Sequence, residues 1–372
     1  MAVVGAGIVG VATAVELHAR GVDVALVDRG DVSGATTGLG EGNVLCSDKQ
    51  AGPELGLTVA GLRVYDEIEA RLGERARIRR KGALIVHRDA ATWSGEAERV
   101  ARLTAAGAPG ELVDAARVRE LEPRLTGAVE GASFFAGDLQ CDPRAIARAL
   151  AEGLARVQTG VDVVGVELAR GRVAALRTSA GRLACGAAVI AAGPWSRALA
   201  HAAGVALPLE PRKGQLVRLR APAAREPFLR HKVVDGGYLA SVVSADAALQ
   251  VTTVAETTWD GDVLVGSSRQ RAGFDVSVDE AVSRAMIARA ATLVPALEEL
   301  PAAAAWAGLR PWLPDHLPAV GPSSAVGGLW LATGHEGAGV ALGPVSGRLV
   351  AQLYAGEEPV VDPAPFSPDR FA

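Results

Sequence analysis

An apolar pair, Val3-Val4, runs into Gly5-x-Gly7-x-x-Gly10, after which Ile8, Val11, Ala12, Val15 and Ala19 recur at helical spacing while Glu16, His18 and Arg20 face away. Gly21 closes that helix, and a second strand over 22–27 ends on Asp28. Further along, Leu55, Val59, Leu62, Tyr65, Ile68 and Leu72 mark an amphipathic helix over 54–72. A strand over 82–87, a helix over 91–106, a short helix capped by Asp114 and stopping before Pro123, and a strand over 133–135 follow. Asp142-Pro143 supplies a cap and a first-turn proline for a helix running to 155. Three strand-like runs occupy 161–166, 173–178 and 186–192, the last a continuous apolar run that suits a parallel strand buried on both faces. From 208 to 301 the pattern changes to short strands at 216–219, 238–243, 249–254 and 263–265, which read as an antiparallel sheet, followed by a helix over 278–293. The opening style then returns, with a strand over 329–332, the loop Thr333-Gly334-His335-Glu336-Gly337-Ala338-Gly339 and a helix over 340–354.

The first thirty residues give strand, glycine turn, helix, strand and acid in the order of a dinucleotide-binding βαβ unit. Each glycine has its own task. Gly5 permits the turn out of the strand, Gly7 lets backbone approach a pyrophosphate, and Gly10 lets the helix pack close to the sheet. Ala6, Ile8 and Val9 lie on the same turn, where unpaired N–H groups and the helix dipole attract phosphate. Asp28, followed by Arg29, would accept hydrogen bonds from a ribose diol, which favours FAD or NAD over NADP. Five glycines between Gly30 and Gly42 in a loop almost free of large side chains suggest backbone lying against a ligand, with a flexible surface loop as the alternative. Gly193, ending the apolar run, would again let backbone meet cofactor. The final glycine loop and helix imply a second ligand-facing stretch.

Composition narrows the classes. The chain has 372 residues, 49% hydrophobic and 22% charged, with net charge −4 and no basic stripe, so nucleic acid is an unexpected partner. Only four of the 38 basic residues are lysines, Lys49, Lys81, Lys213 and Lys232. The cysteines Cys46, Cys141 and Cys185 are widely spaced, which argues against a disulfide framework, a zinc site or an iron–sulfur cluster. No apolar run reaches the ~18 residues of a membrane span, and the pattern starts at once without a signal peptide, so the expectation is a soluble cytoplasmic protein without metal. The shortness of the first strand leaves open a missing N-terminal stretch or a misassigned start.

Four motifs together resemble the FAD-dependent amine and amino-acid oxidoreductases of the D-amino-acid oxidase superfamily. They are Val3 to Gly10, Val189-Ile-Ala-Ala-Gly-Pro-Trp195, Gly308-Leu-Arg-Pro311 with Pro318-Ala-Val-Gly321, and Thr333 to Gly339. Three further stretches, Gly40-Glu-Gly-Asn-Val44, Ser47-Asp-Lys49 and Gly266-Ser-Ser-Arg269, look most like its cyclic amino-acid dehydrogenase branch, some of whose members work as subunits of larger complexes. The resemblance implies an α/β fold, with an FAD-binding Rossmann-like domain of glutathione-reductase type over 1–80, 138–206 and 305–372. The remaining segments, 81–137 and 207–304, would form an α+β substrate domain built on an antiparallel sheet. It also implies that Gly5, Gly7, Gly10 and Asp28 hold the ADP part of FAD and that Thr36, Thr37, Gly42 and Asn43 lie along pyrophosphate and flavin. Val163 would meet adenine, Gly334 to Gly339 (His335, Glu336, Gly337 and Ala338 included) would run beside the isoalloxazine, and Gly308 also belongs to the cofactor-binding set.

The implied reaction is oxidation of an α-amino or α-imino acid, cyclic or N-substituted favoured, to the imine by hydride transfer to flavin. Arg310 is the candidate carboxylate anchor, the alternative being an arginine tied to an internal acid. Tyr238 matches a tyrosine that closes over substrate in relatives, or else packs under the sheet. His335 would bond a flavin carbonyl, shape the substrate cavity or, least expected, act as a base. Trp195 reads as packing and Lys213 as an interdomain surface residue. Pro311 to Asp315 contains no cysteine, so FAD should be non-covalent, and no lysine stands near Leu264 where oxidases of the sarcosine type carry one. That leans toward a dehydrogenase handing electrons to a quinone, dye or partner subunit rather than to oxygen. The competing readings are an electron-transfer subunit of a complex, homo- or hetero-oligomeric, and an NAD-dependent dehydrogenase, the latter in conflict with the C-terminal loop.

Overall fold

The computed structural model describes residues 1–126, 128–239 and 248–372. The elements that position the large cavity are, in chain order, β1 (Ala2–Val4), α1 (Ile8–Ala19), β2 (Ala25–Val27), α2 (Pro53–Leu72), β3 (Ala188–Ile190), β4 (Glu210–Leu219), β5 (Val263–Arg269), β6 (Ala302–Trp312), β7 (Leu329–Thr333) and α3 (Gly339–Ala355).

One sheet has six strands, ordered Ala319–Pro322, β7, β3, β1, β2 and Val157–Gln158. Every pairing in it is parallel except that of Ala319–Pro322 with β7. The register sets Val3 beside both Leu26 and Val189, and Val189 beside Trp330. Residues of β1, β2, β3 and β7 are buried throughout, as expected of strands covered on both faces. On one side α1, α3 and α2 stack. A Cβ at Gly347 would lie 2.6 Å from the Thr13 amide and one at Gly343 3.2 Å from Ile8, so glycines on α3 bring its axis against α1. On α2, Tyr65 donates to the Val340 carbonyl at 2.6 Å.

The second large sheet has eight strands, ordered β6, β4, β5, Gln250–Thr257, Lys232–Asp235, Ala83–His87, Gly131–Phe135 and Glu111–Asp114. The expected antiparallel sheet is therefore mixed, because Lys232–Asp235 and Ala83–His87 run parallel. The helix Glu280–Ala291, capped by Asp279 through the amides of Ala281 and Val282, packs on it. A small three-stranded sheet turns back at Arg170-Gly171, where φ values of 53° and 72° suit a two-residue hairpin turn.

Several boundaries differ from the pattern reading. The helix expected over 91–106 is two, Ala90–Trp93 and Glu96–Ala105, because Ser94 is extended and Gly95 takes φ 90°. The helix after Asp142 stops at Ala151, and β2 spans only the last three residues of the expected strand. Of the strand expected over 238–243, Tyr238 and Leu239 are helical, and the rest lies outside the described residues. Among the described residues no helix is long and apolar enough to cross a membrane. The cysteines are free, Cys46 and Cys141 buried and Cys185 half-buried.

Candidate active site

A continuous cavity runs from the turn between β1 and α1, past the loop over 34–43, to Gly214 and Leu216 on β4 and Gly308 to Pro311 on β6. At the β1 end the glycine geometry is specific. Gly5 has φ 108° and donates to the Val27 carbonyl at 2.8 Å. A Cβ on Gly10 would overlap the Gly5 carbonyl oxygen, so the expected close packing is backbone on backbone. Gly7 caps α1 without a capping side chain and lines the cavity with Gly5, Ile8 and Val9. An anionic phosphate fits that helix N-terminus, where N–H groups lack intrahelical partners.

Asp28 lines the cavity just beyond β2. Its Oδ2 accepts from the Ala6 amide at 2.6 Å and its Oδ1 from the Gly30 amide at 2.7 Å. A carboxylate has about four acceptor sites, so two amides fix its orientation and leave capacity for a ribose diol. Arg29 stands at the mouth with its guanidinium 4.0 Å from the Trp195 ring centre, and Trp195 stacks on Phe274 at 5.8 Å. Val163, at the start of the small sheet, lines the same end.

The loop over 34–43 is tied to both sheets. Thr37 Oγ1 accepts from the Ile8 amide at 3.0 Å, Thr36 Oγ1 donates to the Leu309 carbonyl at 2.8 Å, and Trp306 Nε1 donates to the Leu39 carbonyl at 3.0 Å. Gly42, with φ 84°, bonds back to the Cys141 amide at 2.8 Å, and Asn43 pairs with Gln140. Gly193 accepts from Thr333 Oγ1 at 3.2 Å, and a Cβ on Gly308 would lie 3.3 Å from Leu39, so both glycines let neighbouring chain close on the cavity.

Of the sequence candidates, Ala6, Gly10 and Gly334 do not line the cavity. Ala6 gives its amide to Asp28, Gly10 packs on Gly5, and Gly334 (φ 81°) turns where a Cβ would overlap Leu313. The others do line it, including Gly337, Ala338 and Gly339. Glu336 faces β4, its Oε1 accepting from Arg212 Nη1 at 2.8 Å and its Oε2 lying 3.3 Å from His316 Nδ1. Burial opposes its ionisation, but His316, Arg269 and Arg212 outweigh it and hold the carboxyl below its usual range.

His335 lines the cavity, and of the roles expected for it that of a base, already the least expected, fits its surroundings least. It is buried, and its Nε2 lies 2.9 Å from Ser346 Oγ on α3. Burial lowers its pKa from 6.5 to about 3, too low for a useful base near neutrality. Between those values the unfolded ring takes a proton that the folded one refuses, so this contribution to stability is complete above 6.5 and lost as pH falls. His335→Gln should therefore shrink the difference in unfolding free energy between pH 8 and pH 5 by about 2 kcal/mol, read from urea denaturation at both pH values. An unchanged difference would mean that the ring titrates normally in the fold.

Arg310 sits on β6 directly opposite Arg212 on β4. Arg212 is neutralised by Glu336. Arg310 Nη1 donates to the Ser268 carbonyl at 3.0 Å, and no carboxylate among the described residues pairs with it. Its guanidinium lies over Gly214, where any Cβ would overlap it. Burial and the neighbouring Arg269 charge lower its pKa to about 10, against a smaller opposing pull from Glu336 and Glu41, so the group remains a cation at neutral pH with no carboxylate bonded to it among the described residues. Among the described residues no internal acid takes the guanidinium, and a cavity-lining cation of this kind suits an external anion. Tyr238 lines the same region, its hydroxyl accepting from Arg269 Nη2 at 2.9 Å.

Glu41, Asp48 and Lys49 all line the cavity, although the sequence offered them only within stretches of family resemblance and gave them no role in the site. Lys49 Nζ bonds Asp48 at 2.8 Å and Glu54 at 3.5 Å. An acid set between two glycines in a loop without other charges was the available signal for Glu41. Lys213, expected at the surface, is buried and reaches Asp275 at 2.5 Å.

The family model described as FAD dependent oxidoreductase matches residues 1–353. Glycine oxidase of Pseudomonas putida is 31% identical over 375 residues, 99% of this chain and 97% of that protein. The crystal structure of glycine oxidase from Geobacillus kaustophilus superposes with a TM-score of 0.88 at 27% identity, covering 98% of this chain and 97% of that one. That of L-proline dehydrogenase from P. horikoshii gives 0.89 at 23% identity, covering 100% and 96%, a likeness of fold.

Proposed function

We propose, from the premise that the chain belongs to the family of FAD-dependent oxidoreductases, that it oxidises an α-amino or α-imino acid to the imine, with cyclic or N-substituted acids favoured. The observation that carries this reading is Arg310, a cavity-lining guanidinium with no acid partner among the described residues. It would hold the substrate carboxylate in a bidentate grip. FAD, when bound, supplies the acceptor for a hydride from the substrate Cα.

The chain's residues would divide the work as follows. The capless N-terminus of α1 at Gly7 receives the pyrophosphate, Asp28 the ribose, and the peptides of Gly193 and Gly337 to Gly339 the flavin. Tyr238, fixed by Arg269, borders the substrate end and limits water there. The parallel sheet then serves as the cofactor-binding unit and the eight-stranded sheet as the substrate floor. Pro311 to Asp315 lacks a cysteine, which supports non-covalent FAD. No lysine stands near Leu264 on β5, where the resemblance puts the oxygen-activating lysine of sarcosine-type oxidases, a slight support for a dehydrogenase because glycine oxidase lacks that lysine too.

The test is anaerobic mixing of the FAD-loaded protein with D- and L-proline, hydroxyproline, sarcosine, glycine and D-alanine. Bleaching of the flavin by at least one is expected. Retained colour with all of them, in protein that holds FAD, would overturn the substrate class.

A further inference from the structure

The loop that contributes Gly42 and Asn43 also places one carboxylate on the floor of the cavity. Glu41 lines it, and its Oε1 lies 2.9 Å from where a Cβ on Gly266 would stand. The Leu216 side chain borders the same point, and two residues back along β4 Gly214 carries the Arg310 guanidinium. Gly214 and Gly266 thus clear two neighbouring patches of sheet, one for a cation and one for an anion.

Only one oxygen of Glu41 is engaged among the described residues. Lys232 Nζ donates to Oε2, as does Asn43 Nδ2 at 2.8 Å. Oε1 makes no hydrogen bond among them. Behind this pair Lys232 Nζ lies 3.5 Å from Glu256 Oε1, and Lys81 Nζ donates to Glu256 Oε2 at 2.5 Å. Lys232 and Glu256 are 1% and 0% exposed, so the four groups form a buried row of alternating sign. Burial works against ionisation of Glu41, but the Lys232 charge and hydrogen bond prevail and hold the carboxyl below its usual range. Such a row costs desolvation and adds little stability compared with apolar packing. What it does is keep a carboxylate ionised at a cavity wall beside an unpaired guanidinium.

We propose that Glu41 faces the substrate nitrogen, so that an amino acid spans the floor with its carboxylate on Arg310 and its amine, bound in the neutral form, donating N–H to Glu41 Oε1. This rests on the amino-acid reading of the previous subsection. The ammonium gives its proton to water as the substrate enters, because the nitrogen lone pair must be free. The Cα–H bond then breaks, both of its electrons leave with the hydrogen for the flavin, and the nitrogen lone pair closes the C=N bond. Nitrogen ends the step as a positively charged iminium. That charge is absent from the neutral amine and grows in the transition state, so a fixed carboxylate beside it stabilises the transition state more than the ground state. The substrate class is narrowed accordingly to acids with one amine one carbon from the carboxylate.

The experiment uses FAD-loaded protein and two probes, proline (both enantiomers) and cyclopentanecarboxylate, which has the ring and the acid but no nitrogen. Glu41→Gln should bind cyclopentanecarboxylate within about twofold of the unaltered protein by calorimetry, yet bleach with proline about 100-fold more slowly at saturation. Glu41→Asp, which keeps the charge, should recover part of that rate. Arg310→Met should lose the calorimetric signal for both probes. A Glu41→Gln protein with an unaltered bleaching rate, or with both probes weakened equally, would overturn the proposal. So would loss of FAD from both Glu41 variants, which would make Glu41 a scaffold residue. If the unaltered protein binds neither probe and none of the acids of the earlier test bleaches it, the substrate class itself has failed, whatever Glu41 does.

Discussion

Arg310→Met yields a protein that folds, keeps its flavin spectrum and loses kcat/KM by about 100- to 1,000-fold. Truncating one partner of a buried, hydrogen-bonded charge pair costs about 2–5 kcal/mol, and each ~1.4 kcal/mol is tenfold. Methionine is the right replacement because an unbranched chain covers Gly214, which has no side chain of its own to fill the gap. The same variant should unfold at a higher denaturant concentration than the unaltered protein. Arg310 faces Arg212 across the strands and feels Arg269 nearby, while the acid at this end, Glu336, is committed to Arg212 and His316. Glu41 and Glu336 offset only part of the effect of burial and the Arg269 charge, so removing a desolvated cation with no bonded carboxylate relieves a cost that substrate otherwise offsets. Unchanged turnover would remove Arg310 from the site, and a fall in stability would mean that it is paired after all.

The second large effect is expected at Gly10. Gly10→Ala puts a methyl group into the Gly5 carbonyl, and neither partner can step aside. Gly5 is itself held at φ 108° against the Ala191 carbonyl, and α1 is pinned from behind by α3 at Gly343 and Gly347. Overpacking of this kind costs about 3 kcal/mol or more, and the displaced helix start should no longer receive FAD. Absorbance after FAD titration and urea unfolding read the two consequences. Gly21→Ala is the matched control. Gly21 has φ 77° with nothing within 4 Å of its Cβ position, so alanine there should cost about 1–2 kcal/mol and leave FAD binding intact. Equal behaviour of the two variants would refute the packing account.

What the chain disclosed on inspection was local. The turn from β1 to α1, Asp28 after β2, the buried run of β3 and the glycine loop before α3 each combine a hydrophobic period with a glycine in a demanding place, and such signals survive without tertiary context. What escaped was set by distant partners. β6 begins as Ala302 to Ala305, residues with little strand preference, and is extended because β4 pairs with it along its length. The parallel pairing inside the eight-stranded sheet joins segments about 150 residues apart in sequence, which no window can see. The row from Glu41 through Lys232 and Glu256 to Lys81 depends on that strand order, and each member alone reads as an ordinary charged residue. His335 shows the same limit in reverse. Its place in a glycine-rich loop suggested chemistry, and only the fold reveals Ser346 as its partner.

The sheet order has a consequence for biogenesis. β1 lies between β2 and β3, and β3 in turn pairs with β7, so β1 belongs to a layer completed only after Thr333 has been made. Until then the nascent chain carries an apolar βαβ segment whose sheet edge is unpaired, a form prone to association. Loading of the prosthetic group is therefore a late event in the life of each molecule, and cells short of riboflavin would accumulate a full-length, unfinished species.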